Sequence, residues 1–252
     1  MSLPSQLETL LAIMREAGAE VYVVGGAVRD WIMGEQPKDF DLATDLLPEA
    51  IQEILEDEGL KVDLTGKSFG VIRTRVNFME FEIATFRRDI GEGRRPDAVE
   101  FTSAEEDVKR RDLTINALLY DPASGEVIDH VGGLEDLENG VVRLVGNPVD
   151  RLREDPLRVL RTIRFAARLG VEPASGTAEA LAHADTSTLA AERVRDEFVK
   201  SLAQARSVVH LMTMLERFGL LEELVLPRLT INGGCSFREV RDLAFQVAFL
   251  TG

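Results

Sequence analysis

Residues 21–45 read VYVVGGAVRDWIMGEQPKDFDLATD. Val21 to Val24 predict a buried strand and Gly25-Gly26 a turn. A short helical segment opens at Ala27, and a second strand carries Asp39 and Asp41. Residues two apart in a strand project from one face, so the two acids converge. Like charges that close are costly unless a cation lies between them, and hard oxygen ligands favour Mg²⁺ shared with phosphates. The glycines let the backbone approach an anion, a helix start offers N–H groups to phosphate, and the Arg29 fork suits phosphate oxygens. The stretch therefore predicts a metal-bound nucleoside triphosphate site, with Mg²⁺ on Asp39 and Asp41 and the phosphates against Gly25, Gly26 and Arg29. A lone D-x-D or GG turn is common; the two in this order are specific.

With 252 residues, 45% hydrophobic and 29% charged, the chain has the composition of an ordinary globular protein with ample core. No apolar run reaches membrane-span length and no signal sequence is evident, so a cytoplasmic location and no membrane partner are expected. A single cysteine, Cys235, excludes an intrachain disulfide framework and a thiolate-built zinc site. The net charge of −15 argues against a polyanionic partner. Its distribution argues the other way: Arg151, Arg153, Arg158, Arg161, Arg164 and Arg168 cluster in one segment, and Arg87, Arg88, Arg94 and Arg95 in another. An acidic body with a basic cleft is the expectation.

Leu7, Leu10, Leu11 and Met14 predict a helix ending at Gly18. Pro48 opens another, closed by Gly59. Lys61–Leu64, Val71–Val76 and Phe78–Ala84 read as strands. The GKS at Gly66–Ser68 is not a P-loop, because Lys61 stands where its first glycine belongs. Glu80 and Glu82 share a strand face, and either can be the third acidic ligand. Thr85–Asp97 reads as a mobile loop. Ser103 and Glu106 have capping-box spacing, predicting a helix in which Asp107–Tyr120 sets Arg111, Asp112 and Asn116 on one edge. Gly132-Gly133 marks a domain boundary or hinge. From Asp150 onward the pattern is helical: Asp155, Arg158 and, one turn further, Arg161 or Thr162 fall along one face, further helices fit 177–183, 190–203 and 207–218, and 237–250 reads as a last one.

These residues resemble the class II tRNA nucleotidyltransferases, the CCA-adding enzymes, and their relatives the bacterial poly(A) polymerases. The resemblance spans roughly residues 20 to 200. It rests on GGAVRD with DFDLATD, RRDLTINAL (110–118), HVGGLEDL (130–137), EDPLRVLR (154–161) and the weaker ERVRDE (192–197). It implies an α+β fold: a polymerase-β-like head of mixed sheet and helices (1–138), an all-α neck (139–205) and the start of an RNA-binding helical body (206–252), shorter than in relatives. By motif match, Asp39 and Asp41 bind the metals; Glu82 is taken as the further catalytic carboxylate from its strand spacing, with Glu80 left open. Gly26 and Arg29 hold the triphosphate, and Arg111 and Asp112 meet phosphate and ribose, with Asn116 beside them. Asp155 and Arg158 read the base, and Arg161 and Arg164 also contact nucleotide.

Cytosine and adenine each present an amino donor beside a ring-nitrogen acceptor, while uracil and guanine present the reverse. An Asp accepting from the amino group and an Arg donating to the ring nitrogen therefore admit CTP and ATP without a template. The expected activity is addition of C and/or A to a tRNA 3′ end by two-metal phosphoryl transfer with pyrophosphate release. The alternatives are poly(A) polymerase and a non-catalytic RNA- or nucleotide-binding module. The 87–94 loop is about two residues shorter than the CCA-adding pattern, which leaves CC-, A- and CCA-addition open.

Overall fold

The computed structural model describes residues 3–90 and 98–225, which fall into two compact units divided between Leu137 and Glu138. In the first, α1 (Ser5–Glu16) buries Leu7, Leu10, Leu11 and Met14 at helical spacing. Gly18, at φ 83°, redirects the chain into β1 (Val21–Val24). Then come α2 (Gly26–Ile32), β2 (Phe40–Thr44) and α3 (Pro48–Asp57), with Pro48 in the first helical turn, where its missing N–H costs nothing. β3 (Val62–Asp63), β4 (Val71–Val76) and β5 (Met79–Thr85) complete the hairpin-rich part. The GKS residues form only a short 3-10 turn, Lys67–Phe69.

β6 (Arg87–Ile90) and β7 (Ala98–Phe101) pair antiparallel as a separate ribbon. The predicted mobile loop therefore begins as a strand; its tip, with Arg94 and Arg95, lies outside the described residues, as do Cys235 and 237–250. α4 (Ala104–Lys109) follows, and the Ser103 hydroxyl makes no capping hydrogen bond. The helix expected through Tyr120 is not there. Leu113 is extended, Thr114–Asn116 make one 3-10 turn, and β8 (Leu119–Asp121) enters the sheet. Residues 112–120 are buried without a break, which no amphipathic helix allows. β9 (Glu126–Ile128) and α5 (Gly133–Glu138) end the unit.

The seven-stranded sheet has the order β3-β4-β5-β2-β1-β8-β9, and only β2 and β5 run parallel. Strand alternation decides its faces. Phe40, Leu42, Ile72, Phe81 and Ile83 point into one core with Ile51 and Leu55 of α3 and the apolar side of α1. Asp41, Arg73 and Glu82, at the intervening positions, face the other way.

The second unit is helical: α6 (Pro148–Glu154), α7 (Arg158–Leu169), α8 (Ser175–Ala182), α9 (Ala191–Gln204) and α10 (Val208–Arg217). α7 is its spine, with Val159, Leu160, Ile163, Phe165, Ala166 and Ala167 buried, and it packs on α9 and α10. Pro156 separates α6 from α7, so Asp155 and Arg158 do not share one helix face as expected. Asp155 closes α6 with φ −140° and ψ 98°, and Arg158 opens α7. Of the six arginines of this segment, Arg151 and Arg164 are buried. Among the described residues, no helix is long and apolar enough to cross a membrane.

Candidate active site

The parallel pairing of β2 and β5 builds the acidic centre. It sets Asp41 directly opposite Glu82, and Phe40 opposite Phe81. Neighbouring strands lie about 4.8 Å apart, so the two carboxylates adjoin on the open face. Asp39 flanks them one step before β2, at the row of Glu80. The register sets Glu82, rather than Glu80, beside Asp41. Loss of water against the sheet, then the charges of Glu82 and Asp39, push the Asp41 carboxyl up to about 6 even though it keeps an exposed edge. Arg111 and Arg73 pull the other way. Among the described residues no three His, Cys, Asp or Glu side chains form a ready-made metal cage. The crowded carboxylates fit a divalent ion whose remaining ligands come from elsewhere, as phosphate oxygens commonly supply them for Mg²⁺.

The glycine turn stands on the β1 side of Asp41, since β1 and β2 pair with Val24 opposite Asp41. Gly25 has φ 74° and ψ −129°, open to glycine alone, and a Cβ there would meet Arg111 Nη1 at 3.4 Å. Arg111 is thus the cation beside the turn. Asp107 holds it, accepting from Arg111 Nη2 at 3.1 Å and from Arg110 Nε at 2.8 Å. Burial works to raise the Asp107 carboxyl, but Arg111 and Arg110 outweigh it and hold it below the usual carboxylate range.

Arg29, Asp112 and Asn116 lie beneath the turn. Arg29 is 2% exposed; its Nε and Nη2 donate to Asp30 Oδ1 at 2.9 and 2.7 Å, and its Nη1 donates to Asn116 Oδ1. Asn116 Nδ2 donates in turn to Asp112 Oδ1 at 3.2 Å. A Cβ on Gly26 would stand 3.6 Å from Arg29 Nη2, so this buried chain braces the turn from below.

The HVGGLEDL motif is a clamp on the same loop. Asp129, one residue before it, accepts the backbone N–H groups of Val131, Gly132, Gly133 and Leu134 at 2.9–3.1 Å. A Cβ on Gly133 would fall 2.2 Å from the Thr114 carbonyl oxygen, and Thr114 Oγ1 donates to Asp136 at 2.7 Å.

In the second unit Asp155 accepts from Arg193 Nη2 at 3.0 Å and from the Leu157 N–H at 3.2 Å. Arg158 Nη1 donates to Glu154 and to the Arg151 carbonyl, both at 2.8 Å. Arg164, expected to contact nucleotide, is buried and committed to Glu197 at 2.5 Å and Gln204 at 2.9 Å, with its guanidinium 4.3 Å from the Phe165 ring. Arg161 is half-buried on α7. The ERVRDE motif therefore supplies partners: Arg193 and Glu197, one turn apart on α9, reach Asp155 and Arg164. Sequence reasoning missed these partners, as it missed Asp107 and Arg73; for Arg73 the signal was the alternation in Val71–Val76, which puts Arg73 and Arg75 on the open face.

A mixed sheet that carries acids on its open face, next to a Gly-Gly turn and a buried arginine, defines a nucleotidyltransferase head domain. The family model described as the poly A polymerase head domain matches residues 21–143. The chain is 44% identical over 175 residues to the CCA-adding enzyme of Bacillus pumilus, covering 68% of this chain and 42% of that protein. It is 41% identical over 180 residues to poly(A) polymerase I of Salmonella typhi, covering 66% of this chain and 38% of that one. The crystal structure of Bacillus stearothermophilus CCA-adding enzyme in complex with CTP superposes with a TM-score of 0.78 at 32% identity, covering 97% of this chain and 58% of that one. The chain belongs to the family of the CCA-adding enzymes and bacterial poly(A) polymerases. It spans about half or less of the length of the curated relatives named here.

Proposed function

We propose that the chain is a template-independent nucleotidyltransferase that adds C and/or A from CTP or ATP to the 3′ end of tRNA. The observation that carries this reading is the pairing of Asp41 with Glu82, flanked by Asp39, beside the Gly25 turn and Arg111. The RNA 3′-hydroxyl gives up its proton to solvent as its oxygen bonds to the α-phosphorus, the bond between that phosphorus and the bridging oxygen breaks, and pyrophosphate leaves. Asp39, Asp41 and Glu82 hold Mg²⁺, which when bound acidifies the attacking hydroxyl and neutralises the leaving group. Arg111 and the Gly25-Gly26 backbone receive the triphosphate. Arg29, Asp112 and Asn116 act through the turn they brace; their burial supports positioning over contact. Asp155 and Arg158 are assigned base choice, and Arg193 and Glu154 fix their rotamers. Arg161 is kept as a nucleotide contact, whereas Arg164 orders the α7–α9 pair. The chain from residue 206 on starts the RNA-binding body.

A relative named poly(A) polymerase I at 41% identity favours a second reading, processive A addition to other RNA 3′ ends. Incubating the protein with Mg²⁺, labelled CTP or ATP and tRNA transcripts ending before CCA, CA or A separates the two at nucleotide resolution. Addition that stops at CCA, CC or a single A supports the first reading. Long A tails replace it by the second, and no product on any primer overturns both. Asp41→Ala is expected to abolish incorporation, and Arg158→Ala to admit UTP and GTP.

A further inference from the structure

We infer that the open face of β4 and the tip of the β4–β5 hairpin bind the phosphates and a base of the single-stranded RNA end that the acidic centre extends. This rests on the proposed function and names how that site takes its second substrate.

The ladders align the charges in rows. Asp63 of β3 stands opposite Arg73, Arg73 opposite Glu82, and Glu82 opposite Asp41, giving one row across four strands. Two residues along β4, about 6.6 Å away by strand geometry, Arg75 stands opposite Glu80. Arg73 pairs with Glu82 at 3.0 Å and Arg75 pairs with Glu80. Both arginines are exposed, and exposed pairs of this kind are weakly held and readily exchanged. Together with Lys61 they line a cavity of about 460 Å³ that also takes in Asp39 and Asp41.

Two residues beyond Arg75 the chain turns at Asn77, with φ 55°, and the next residue, Phe78, is 97% exposed. An isolated exposed apolar residue needs no explanation. One that ends a run of guanidinium groups leading to a transferase centre matches the combination by which proteins hold single-stranded nucleic acid, cations tracking the backbone and an aromatic ring stacking a base.

Sheet order says which polyanion belongs here. Gly25 and Arg111 lie on the β1 side of β2, whereas Glu82, Arg73, Arg75 and Phe78 lie on its β5–β4 side. The acidic centre thus separates two anion-binding flanks. Nucleotide transfer brings two polyanions together at one point, and the first flank suits the triphosphate. The second is left for the strand whose 3′-hydroxyl attacks.

The test measures binding of a short 5′-fluorescent oligoribonucleotide to the full chain by anisotropy, without nucleotide, across a salt series. Arg73→Gln/Arg75→Gln is expected to weaken binding at least tenfold at low salt and to lower the slope of log K against log salt by about 1.4, two phosphates at about 0.7 each. Phe78→Ala removes a side chain that supports no core; it is expected to weaken binding by about tenfold with the slope unchanged, as loss of one stacked base predicts. In extension assays Phe78→Ala raises KM for RNA and leaves KM for CTP and ATP unchanged. An unaltered slope and affinity, or a rise confined to the nucleotide KM, overturns the inference. The two readings fail separately. A wild-type chain that binds the oligonucleotide through this strip but extends no RNA loses the transferase reading and keeps the strip. One that extends RNA while the variants bind normally loses the strip alone.

Discussion

Replacing Asp41 by Asn stabilises the metal-free protein above neutrality. In the fold, partial desolvation and the charges of Glu82 and Asp39 raise the Asp41 carboxyl from an ordinary 3.8 to about 6. The folded protein therefore holds this proton more tightly than the unfolded chain does. The cost of ionising it in the fold is absent below pH 3.8, grows between 3.8 and about 6, and is complete above. At about 1.36 kcal/mol per pKa unit the gap corresponds to about 3 kcal/mol, which the solvent-facing edge of Asp41 reduces to about 1 kcal/mol by screening. Asn keeps the shape and removes the charge. Differential scanning calorimetry in EDTA at pH 8 is expected to show the first unit of Asp41→Asn melting about 3 °C above wild type, with the difference gone near pH 4. Added Mg²⁺ raises the wild-type transition by mass action and leaves the variant nearly unmoved. An Asn variant that melts at or below wild type at pH 8 without metal refutes the crowded-carboxylate account.

Gly133→Ala drives a methyl into the Thr114 carbonyl, 2.2 Å from the ideal Cβ, and both sides of that clash are backbone. A loss of about 3 kcal/mol is expected in urea unfolding, and a loss under about 1 kcal/mol would mean the loop yields. Arg164→Met strands Glu197 in the second unit's interior and should cost about 3–5 kcal/mol, while Arg164→Met/Glu197→Leu recovers most of it; a double variant no better than the single one rejects the pairing as the reason for the arginine. Burial works to raise the Asp129 carboxyl, but four backbone N–H groups outweigh it and hold it below the ordinary 3.8. Its stabilisation is accordingly complete above that value and lost as pH falls through the lower folded one. Asp129→Asn should be less stable than wild type by about 1 kcal/mol at pH 7 and converge with it in acid, as followed by circular dichroism.

The strand, turn, helix and strand of residues 21–44 were legible because each step has a local cause. Val21–Val24 is a short apolar run, Gly25 takes a φ that other residues resist, and Phe40 and Leu42 alternate with Asp41. Helices α1, α3, α8, α9 and α10 follow their apolar periods to within a few residues for the same reason. The failures come where long-range contact decides. RRDLTINALLY carries helical spacing, yet Leu119 and Tyr120 are wanted between β1 and β9, and Asp112 bonds its own neighbour's N–H. Arg87 and Arg88 suggested a loop because charge runs usually do, but their backbone pairs with 100–101 across a segment that local pattern cannot see.

The same division separates the site residues. Asp39 and Asp41 could be picked from spacing because strand alternation alone aims them. Glu82 and Glu80 could not be told apart from sequence, since the choice depends on the register of a parallel pair 41 positions away in the chain. Charge is harder still. Arg29, Arg111 and Arg164 look alike in sequence as phosphate ligands, and the fold uses them differently: Arg29, consumed by Asp30 and Asn116, lies under Gly26, Arg164 is consumed by Glu197, and Arg111, held by Asp107, stands against Gly25. A buried guanidinium is tolerated only with its donors satisfied, so each internal arginine implies an acidic or amide partner elsewhere in the chain. That requirement gives Asn116 of RRDLTINAL and Glu197 of ERVRDE a reason beyond contact with substrate: as partners of Arg29 and Arg164 they fix in place the loop and helices on which ligand-facing groups are mounted.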